Sequence, residues 1–317
     1  MSLDDVSLHL VRIPMIVRFR RVTWREAVLL EGPAGWGEFS PFPDYPPGTT
    51  SRWLAAALES AVADRPSVER TSIPVNVTVP AVSPEQAYEL VSESECRTAK
   101  VKIADKGEGR DTDVARVAAV RDALGGDGRL RVDVNAAWGV AEAAERINEL
   151  DWFDLEYVEQ PVATIEEMIE LRRRISVPIA ADEVIRQSPD PMEVVERGAA
   201  DLLVLKVQPL GGVRRTLDLA ERSGMDVVIS SALETSVGLA AGLRAAAALP
   251  ELPYDCGLAT AVLLEGDVTT DPLLPIGGSI EVREVTPDPD LLDEWQADPE
   301  TERRLLRRLR QAAETLT

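Results

Sequence analysis

From residue 73 onward the chain alternates short apolar runs with amphipathic stretches. The runs fall at 73–79, 99–103, 130–134, 155–158, 178–181, 201–205, 226–230 and, more weakly, 254–258. Their spacing, about 22 to 31 residues, is that of a strand–helix repeat, and each run is short enough to be a strand buried on both faces. Between them, Val140, Ala143, Ala144, Ile147 and Leu150 share one helical face. Ser83-Pro84-Glu85-Gln86 and Thr164-Ile165-Glu166-Glu167 read as capping boxes, and Ser188-Pro189 as a third helix start. Eight strands alternating with helices predict an α/β fold, a (β/α)7β TIM-like barrel over residues 73–270. An open doubly wound sheet is the alternative, but its only Gly-rich loop would be Gly211-Gly212.

Residues 1–72 follow another pattern. Val6–Leu10 and Glu26–Leu30 alternate as antiparallel strands, and 51–64 form an Ala-rich helix. Between Gly32 and Pro47 runs Gly35-Trp36-Gly37-Glu38-Phe39-Ser40-Pro41-Phe42-Pro43-Asp44-Tyr45, too apolar to be left in water and expected to act as a lid. This segment is expected to be an α+β N-terminal capping domain. Residues 271–317, Pro-rich and then a charged helix from about 298, are expected to return and complete it.

Net charge is −21 with a pI near 4.5. That field opposes nucleic acid and anionic membranes as partners, and an anionic substrate would need a local cluster of cations. No run approaches the ~18 apolar residues of a membrane span. Met1-Ser2-Leu3-Asp4-Asp5 lacks a basic leader, and Cys96 and Cys256 form no CxxC pair, so a reducing, cytoplasmic location is expected. Nothing in the sequence specifies an oligomeric state. His9 is the only histidine, which excludes a His/Cys zinc site, and a Ser-His-Asp triad unless His9 supplies its base.

The cations are lopsided: thirty arginines and four lysines. Arg stays protonated, whereas a desolvated Lys can become a base. Lys106 reads as an ordinary loop residue, but Lys100 and Lys102 share one face of the second barrel strand and Lys206 ends the sixth. Strand three ends Arg131-Val132-Asp133-Val134-Asn135, strand four Glu159-Gln160, strand five Asp182-Glu183 and strand seven Ser230-Ser231. Active sites of such barrels sit at the C-terminal strand ends. Asp133, Glu159 and Asp182 would converge there, and three carboxylates in one small space need a counter-ion. An all-oxygen donor set favours a hard cation, Mg²⁺ or Mn²⁺. A metal flanked by lysines is a layout for removing a proton α to a carboxylate.

On these residues the chain resembles the enolase superfamily, in its muconate-lactonising subgroup. The resemblance covers essentially the whole chain. It implies Asp133, Glu159 and Asp182 as metal ligands, Lys102 and Lys206 as catalytic lysines, Lys100 as a supporting lysine, and supporting places for Arg131, Asn135 and Glu183. Within the family, the compact length, the Gly35–Tyr45 segment and Arg131-x-Asp133 resemble the o-succinylbenzoate synthases of menaquinone biosynthesis. Those are Mg²⁺-dependent lyases that dehydrate a small carboxylate, 2-succinyl-6-hydroxy-2,4-cyclohexadiene-1-carboxylate. The pocket implied for the succinyl arm is lined by Ser230, Ser231 and Gly257, with Gly35 and Phe39 on the covering segment. The alternative is an N-succinylamino acid racemase or a related epimerase. Dipeptide epimerases carry Asp-x-Asp after the last strand, where this chain reads Asp255-Cys256-Gly257.

Overall fold

In a computed structural model, which describes residues 3–19, 22–64 and 66–316, strands β1 (Ser7–Phe19), β2 (Val22–Gly32) and β3 (Gly35–Phe39) form an antiparallel sheet in that order. Helix α1 (Pro47–Val62) lies on β3. The first hairpin is much longer than its alternating segments suggested. Pro14 interrupts the pattern yet stays in β1 opposite Trp24, and the register shifts between Pro14 and Phe19. A proline removes one ladder donor, which an edge strand tolerates.

Gly35–Phe39 is a strand and not a lid. It pairs with β2 from Gly32↔Gly35 to Val28↔Phe39, and Gly37 lies directly beneath the Ala57 carbonyl of α1, where a Cβ would overlap it. The glycine is required by close approach of helix and sheet. Gly37→Ala is therefore expected to cost about 2–3 kcal/mol by wedging α1 off the sheet. Urea unfolding measures this, and a loss under about 0.5 kcal/mol, typical of neutral surface changes, would overturn the packing argument.

The rest is strand–helix repeat: β4 (Ser72–Val79), α2 (Pro84–Glu93), β5 (Thr98–Lys102), α3 (Arg110–Leu124), β6 (Arg129–Asp133), α4 (Val140–Leu150), β7 (Leu155–Glu159) and α5 (Ile165–Arg172). Then follow β8 (Ile179–Ala181), the short α6 (Glu183–Arg186) and α7 (Met192–Glu196), β9 (Leu202–Leu205), α8 (Val207–Leu210), α9 (Val213–Ser223), β10 (Val227–Ile229), α10 (Ser236–Ala248) and β11 (Cys256–Ala259). Both capping boxes are formed, at Ser83/Gln86 and Thr164/Glu167. The third start is displaced, because Ser188 bonds to Asp190 in a turn and α7 begins at Met192.

The eight strands are parallel neighbours in the order β10-β9-β8-β7-β6-β5-β4-β11. The ring closes at the weak eighth strand through a single parallel bridge, Ser230↔Gly257, and the Ser231 N–H bond to the Gly257 carbonyl (2.9 Å). Strand β12 (Ser279–Glu281) pairs with β4. The chain then returns to the N-terminal sheet: Arg12 and Ala297 exchange backbone bonds across to Trp295 and Leu10. After α11 (Pro289–Glu294), α12 (Pro299–Glu314) is capped by Asp298 and buries Thr301, Leu305, Leu309 and Ala312 on one face.

Gly211-Gly212 has no nucleotide role here. Both sit at positive φ (97° and 123°) before α9, with the Glu59 carboxylate of α1 where a Gly212 side chain would be, and Glu59 Oε1 accepts the Arg214 N–H (3.2 Å). The pair joins barrel to N-terminal domain. Among the described residues no helix is long and apolar enough to cross a membrane.

Candidate active site

Register brings the strand ends together. Lys102 pairs with Asp133 and Asp133 with Glu159, so three successive strands deliver charged groups to one level. Asp182 follows β8 directly. Asp133, Glu159 and Asp182 are all fully buried. Each is met by a lysine. Lys102 Nζ bonds Asp133 Oδ2 and Asn135 Oδ1 (2.9 Å), Lys100 Nζ bonds Glu159 Oε2 (2.7 Å) and stands 3.8 Å from Asp133, and Lys206 Nζ bonds Asp182 Oδ2 (2.6 Å). No group of three His, Cys, Asp or Glu among the described residues is drawn into a closed metal-binding cluster. The carboxylates are spread over lysines instead.

In the ring of eight, β5 and β9 are four strands apart, so Lys102 and Lys206 face each other across the barrel. Both line a cavity with Lys100, Asn135, Ser230, Ser231, Ala232, Leu233 and Gly257. Phe42, from the expected covering segment, and Phe19, Thr78 and Thr260, none of which was expected, complete its wall. Phe19 ends β1, and its ring lies 5.2 Å from Lys102 Nζ. Thr78 carried a weak signal, a hydroxyl near the end of a strand that also holds Asn76. Gly257 is at closest packing, since a Cβ there would meet Ser230 Oγ at 2.6 Å.

Gly35 and Phe39 are elsewhere. Gly35 turns the β2–β3 hairpin, and Phe39 is fully buried in the N-terminal core opposite Val28. From the following segment only Phe42 reaches the cavity. Arg308 fixes that segment through the carbonyls of Pro41 (2.8 Å), Phe42 and Tyr45 (3.0 Å). Arg131 lies one layer below, level with Lys100 and Tyr157. It spans the barrel interior to Asn76 (3.1 Å), Glu156 (2.5 Å) and the Asp255 carbonyl (2.7 Å), bracing the seam at β11. Asp255 precedes β11 and accepts the Thr98 hydroxyl (2.5 Å), so the residues beyond the last strand are Thr260 and Ala261, which also lack a carboxylate. His9 packs 5.0 Å from Trp36 on the N-terminal sheet.

Asn135 links two strand ends, accepting from Lys102 and donating to Glu183 Oε1 (3.1 Å). Arg186, one turn beyond Asp182, bonds its Oδ1 (2.9 Å) and also Glu183. Five of the seven non-glycine residues at positive φ among the described residues are Ala104, Asn135, Ala136, Gln160 and Leu233, all just beyond a barrel strand. Backbone strain is concentrated at this face, as at many functional sites.

The charges respond to burial and to each other. Burial raises the Glu159 carboxyl, and neighbouring Asp133 adds to it. Burial also opposes the Asp133 charge, but Lys102, Lys100 and Lys206 outweigh it and hold that carboxyl well below the usual range. For Lys100 burial is again outweighed, here by Glu159 and Asp133, so its ammonium is held. Lys206 is pushed downward by burial, with Asp182 resisting and Arg186 assisting.

A further buried carboxylate, Glu38, lies outside the cavity beside Glu234, Arg25, Ser40 and Thr235. Burial, reinforced by Glu234, lifts it to about 7 against the pull of Arg25. Its unfolded value is 4.5, so between these values the folded state binds more protons. Its contribution to stability is then full below pH 4.5 and lost as pH rises through 7, by about 3 kcal/mol. Glu38→Gln is expected to flatten that slope in urea unfolding at pH 5 and pH 8. An unchanged slope would rule Glu38 out as its source.

Residues 83–288 match the family model for an enolase C-terminal domain-like region, and residues 10–61 that for an enolase N-terminal domain-like region. The chain is 58% identical to the o-succinylbenzoate synthase of Thermobifida fusca (strain YX), over 90% of each protein. It is 50% identical to that of Mycobacterium tuberculosis (strain H37Rv), over 92% of this chain and 89% of that protein. The muconate lactonizing enzyme of Pseudomonas fluorescens, solved with muconolactone, superposes with a TM-score of 0.79 at 22% identity, covering 92% of this chain and 98% of that one. With an eight-stranded parallel barrel, an N-terminal antiparallel sheet and both family regions matched along its length, the chain belongs to the enolase superfamily.

Proposed function

We propose that this chain is an o-succinylbenzoate synthase. It eliminates water from 2-succinyl-6-hydroxy-2,4-cyclohexadiene-1-carboxylate, a step of menaquinone biosynthesis. The observation that carries the reading is the opposition of Lys102 and Lys206 across one cavity, above three buried carboxylates. Identity to synthases over nine-tenths of the chain supports the choice of reaction.

Unprotonated Lys102 Nζ takes the proton α to the carboxylate, and Asn135 Oδ1 orients it. The same ammonium then protonates the departing hydroxyl on the same face: the C–O bond breaks, the ring becomes aromatic and water leaves. Lys206, opposite, keeps a cation against the other face of the planar intermediate. Lys100 offsets the charge of Glu159 from below. The donor set fits a hard divalent cation, Mg²⁺ with Mn²⁺ as substitute: it is all oxygen, and Glu159 Oε1 is buried without a hydrogen-bond partner. Asp133, Glu159 and Asp182 would hold it, and when bound it would neutralise charge gathering on the substrate carboxylate.

Two facing lysines also suit a racemase, which needs a base on each side of the α-carbon. The deciding experiment incubates the purified protein with Mg²⁺ and either the cyclohexadiene carboxylate or N-succinylamino acids in D₂O. Formation of the aromatic product is expected. Deuterium exchange and racemisation of succinylamino acids without any aromatic product would replace this reading with the second.

A further inference from the structure

The cavity wall at Ser230–Leu233 is held from the N-terminal domain. Arg25 of β2 is 3% exposed. It donates to the carbonyls of Leu233 (2.6 Å) and Ala232 (3.1 Å), to Ser40 Oγ (2.8 Å) and to the Ser40 carbonyl. Glu38 of β3 is 2% exposed. Its Oε1 accepts the Ser40 hydroxyl (2.6 Å), and its Oε2 accepts Thr235 N–H (3.1 Å), the Thr235 hydroxyl (2.6 Å) and Gly238 N–H (3.1 Å). Ser40 in turn exchanges two bonds with Gln208, two residues beyond Lys206 (both 3.2 Å). Neither Arg25 nor Glu38 lines the cavity.

The segment they grip is strained. Leu233 has φ +63°, the left-handed region that a branched side chain rarely adopts. Such a conformation persists only where its surroundings over-determine it, and here the restraint on its carbonyl is the Arg25 guanidinium. Burying a guanidinium and a carboxylate is a poor way to make two domains merely cohere, because apolar groups do so at lower desolvation cost. Directed donors and acceptors, in contrast, fix backbone orientation.

We propose that Arg25 and Glu38 are positioning residues for substrate binding: they hold the backbone of Ala232–Thr235 in the one conformation that presents the Ser230–Leu233 wall to the substrate. The inference rests on the synthase reading above. Its signature is a rise in KM that passes through Leu233, with kcat little changed, because the lysines and carboxylates are untouched.

The test is a double-mutant cycle on the full-length enzyme, assayed for dehydration with Mg²⁺, with circular dichroism to establish folding. Arg25→Met is expected to raise KM about tenfold in the parent, as misplaced binding groups do. In a Leu233→Gly background the left-handed backbone carries no side-chain penalty, and the same change is expected to raise KM less than about threefold. Glu38→Gln keeps the shape and is expected to raise KM severalfold. If Arg25→Met does not fold, Arg25→Lys takes its place in the cycle. Equal KM changes in both backgrounds, or KM values unchanged while only Tm falls, would overturn the proposal. A parent that forms no aromatic product removes the synthase reading and this inference with it; an active parent with indifferent variants removes the inference alone.

Discussion

Lys102→Arg is expected to cut dehydration by about 10³-fold or more, the scale of a lost general base, in a protein that stays folded. The change keeps the positive charge that Asp133 and Asn135 require, since Lys102 bonds both. It removes only the ability to be neutral. A guanidinium is protonated under all working conditions and has no lone pair to offer the α-proton. Folding should survive because the ion pair with Asp133 is preserved at a position that lines the cavity. Lys206→Arg should behave differently if its role is charge alone: a cation remains opposite, and the loss then reflects misfit. Product absorbance under single-turnover conditions measures both, with α-proton exchange as a second readout. Turnover by Lys102→Arg within tenfold of the parent would end its assignment as the base. Equal, complete loss in both variants would favour two titrating bases.

Glu159→Gln is expected to abolish stabilisation by Mg²⁺. Three carboxylates and three ammonium groups balance at the strand ends. Glu159 is the central carboxylate, with one oxygen on Lys100 and the other without a partner. Gln keeps the volume and an acceptor for Lys100, but leaves the lysines one negative charge short. A divalent cation would then enter a net positive site. With the parent, Mg²⁺ at a hundred times its Kd adds about 2.7 kcal/mol by mass action. The variant should gain none of this. It should also start up to about 3 kcal/mol lower, because a buried ion pair has been broken on one side. Unfolding with and without Mg²⁺ separates the two effects. An equal Mg²⁺ shift in parent and variant would show that Glu159 is not a ligand.

The barrel was legible because its strands are buried on both faces. Continuous apolar runs such as Leu202–Leu205 cannot be mistaken for loops when helices with capping boxes separate them. The charged residues at the strand ends were legible for the same reason: a lysine or carboxylate ending an apolar run has little other reason to be there. The two strands of the first hairpin were legible as alternating segments, but not their full length, because Pro14 breaks the alternation that the sheet tolerates. Missing the extension of β1 also missed Phe19. The Gly35–Tyr45 segment misled because glycine carries two meanings. Gly37 marks helix-on-sheet contact, whereas the sequence pattern reads as a turn-rich loop. Long-range partners such as Arg25 and the Leu233 carbonyl leave no local pattern at all.

The scarcity of lysine makes the protein chemically addressable. Of its four side-chain amines, Lys100, Lys102 and Lys206 lie in the cavity and only Lys106 is exposed. Acylating or reductively methylating reagents, which on most proteins scatter over the surface, have here, besides the α-amine, one outer lysine and three inner ones. A ligand filling the cavity would shield the inner group as a set. Amine labelling followed by peptide mapping thus reports occupancy of this site directly, against a built-in reference at Lys106.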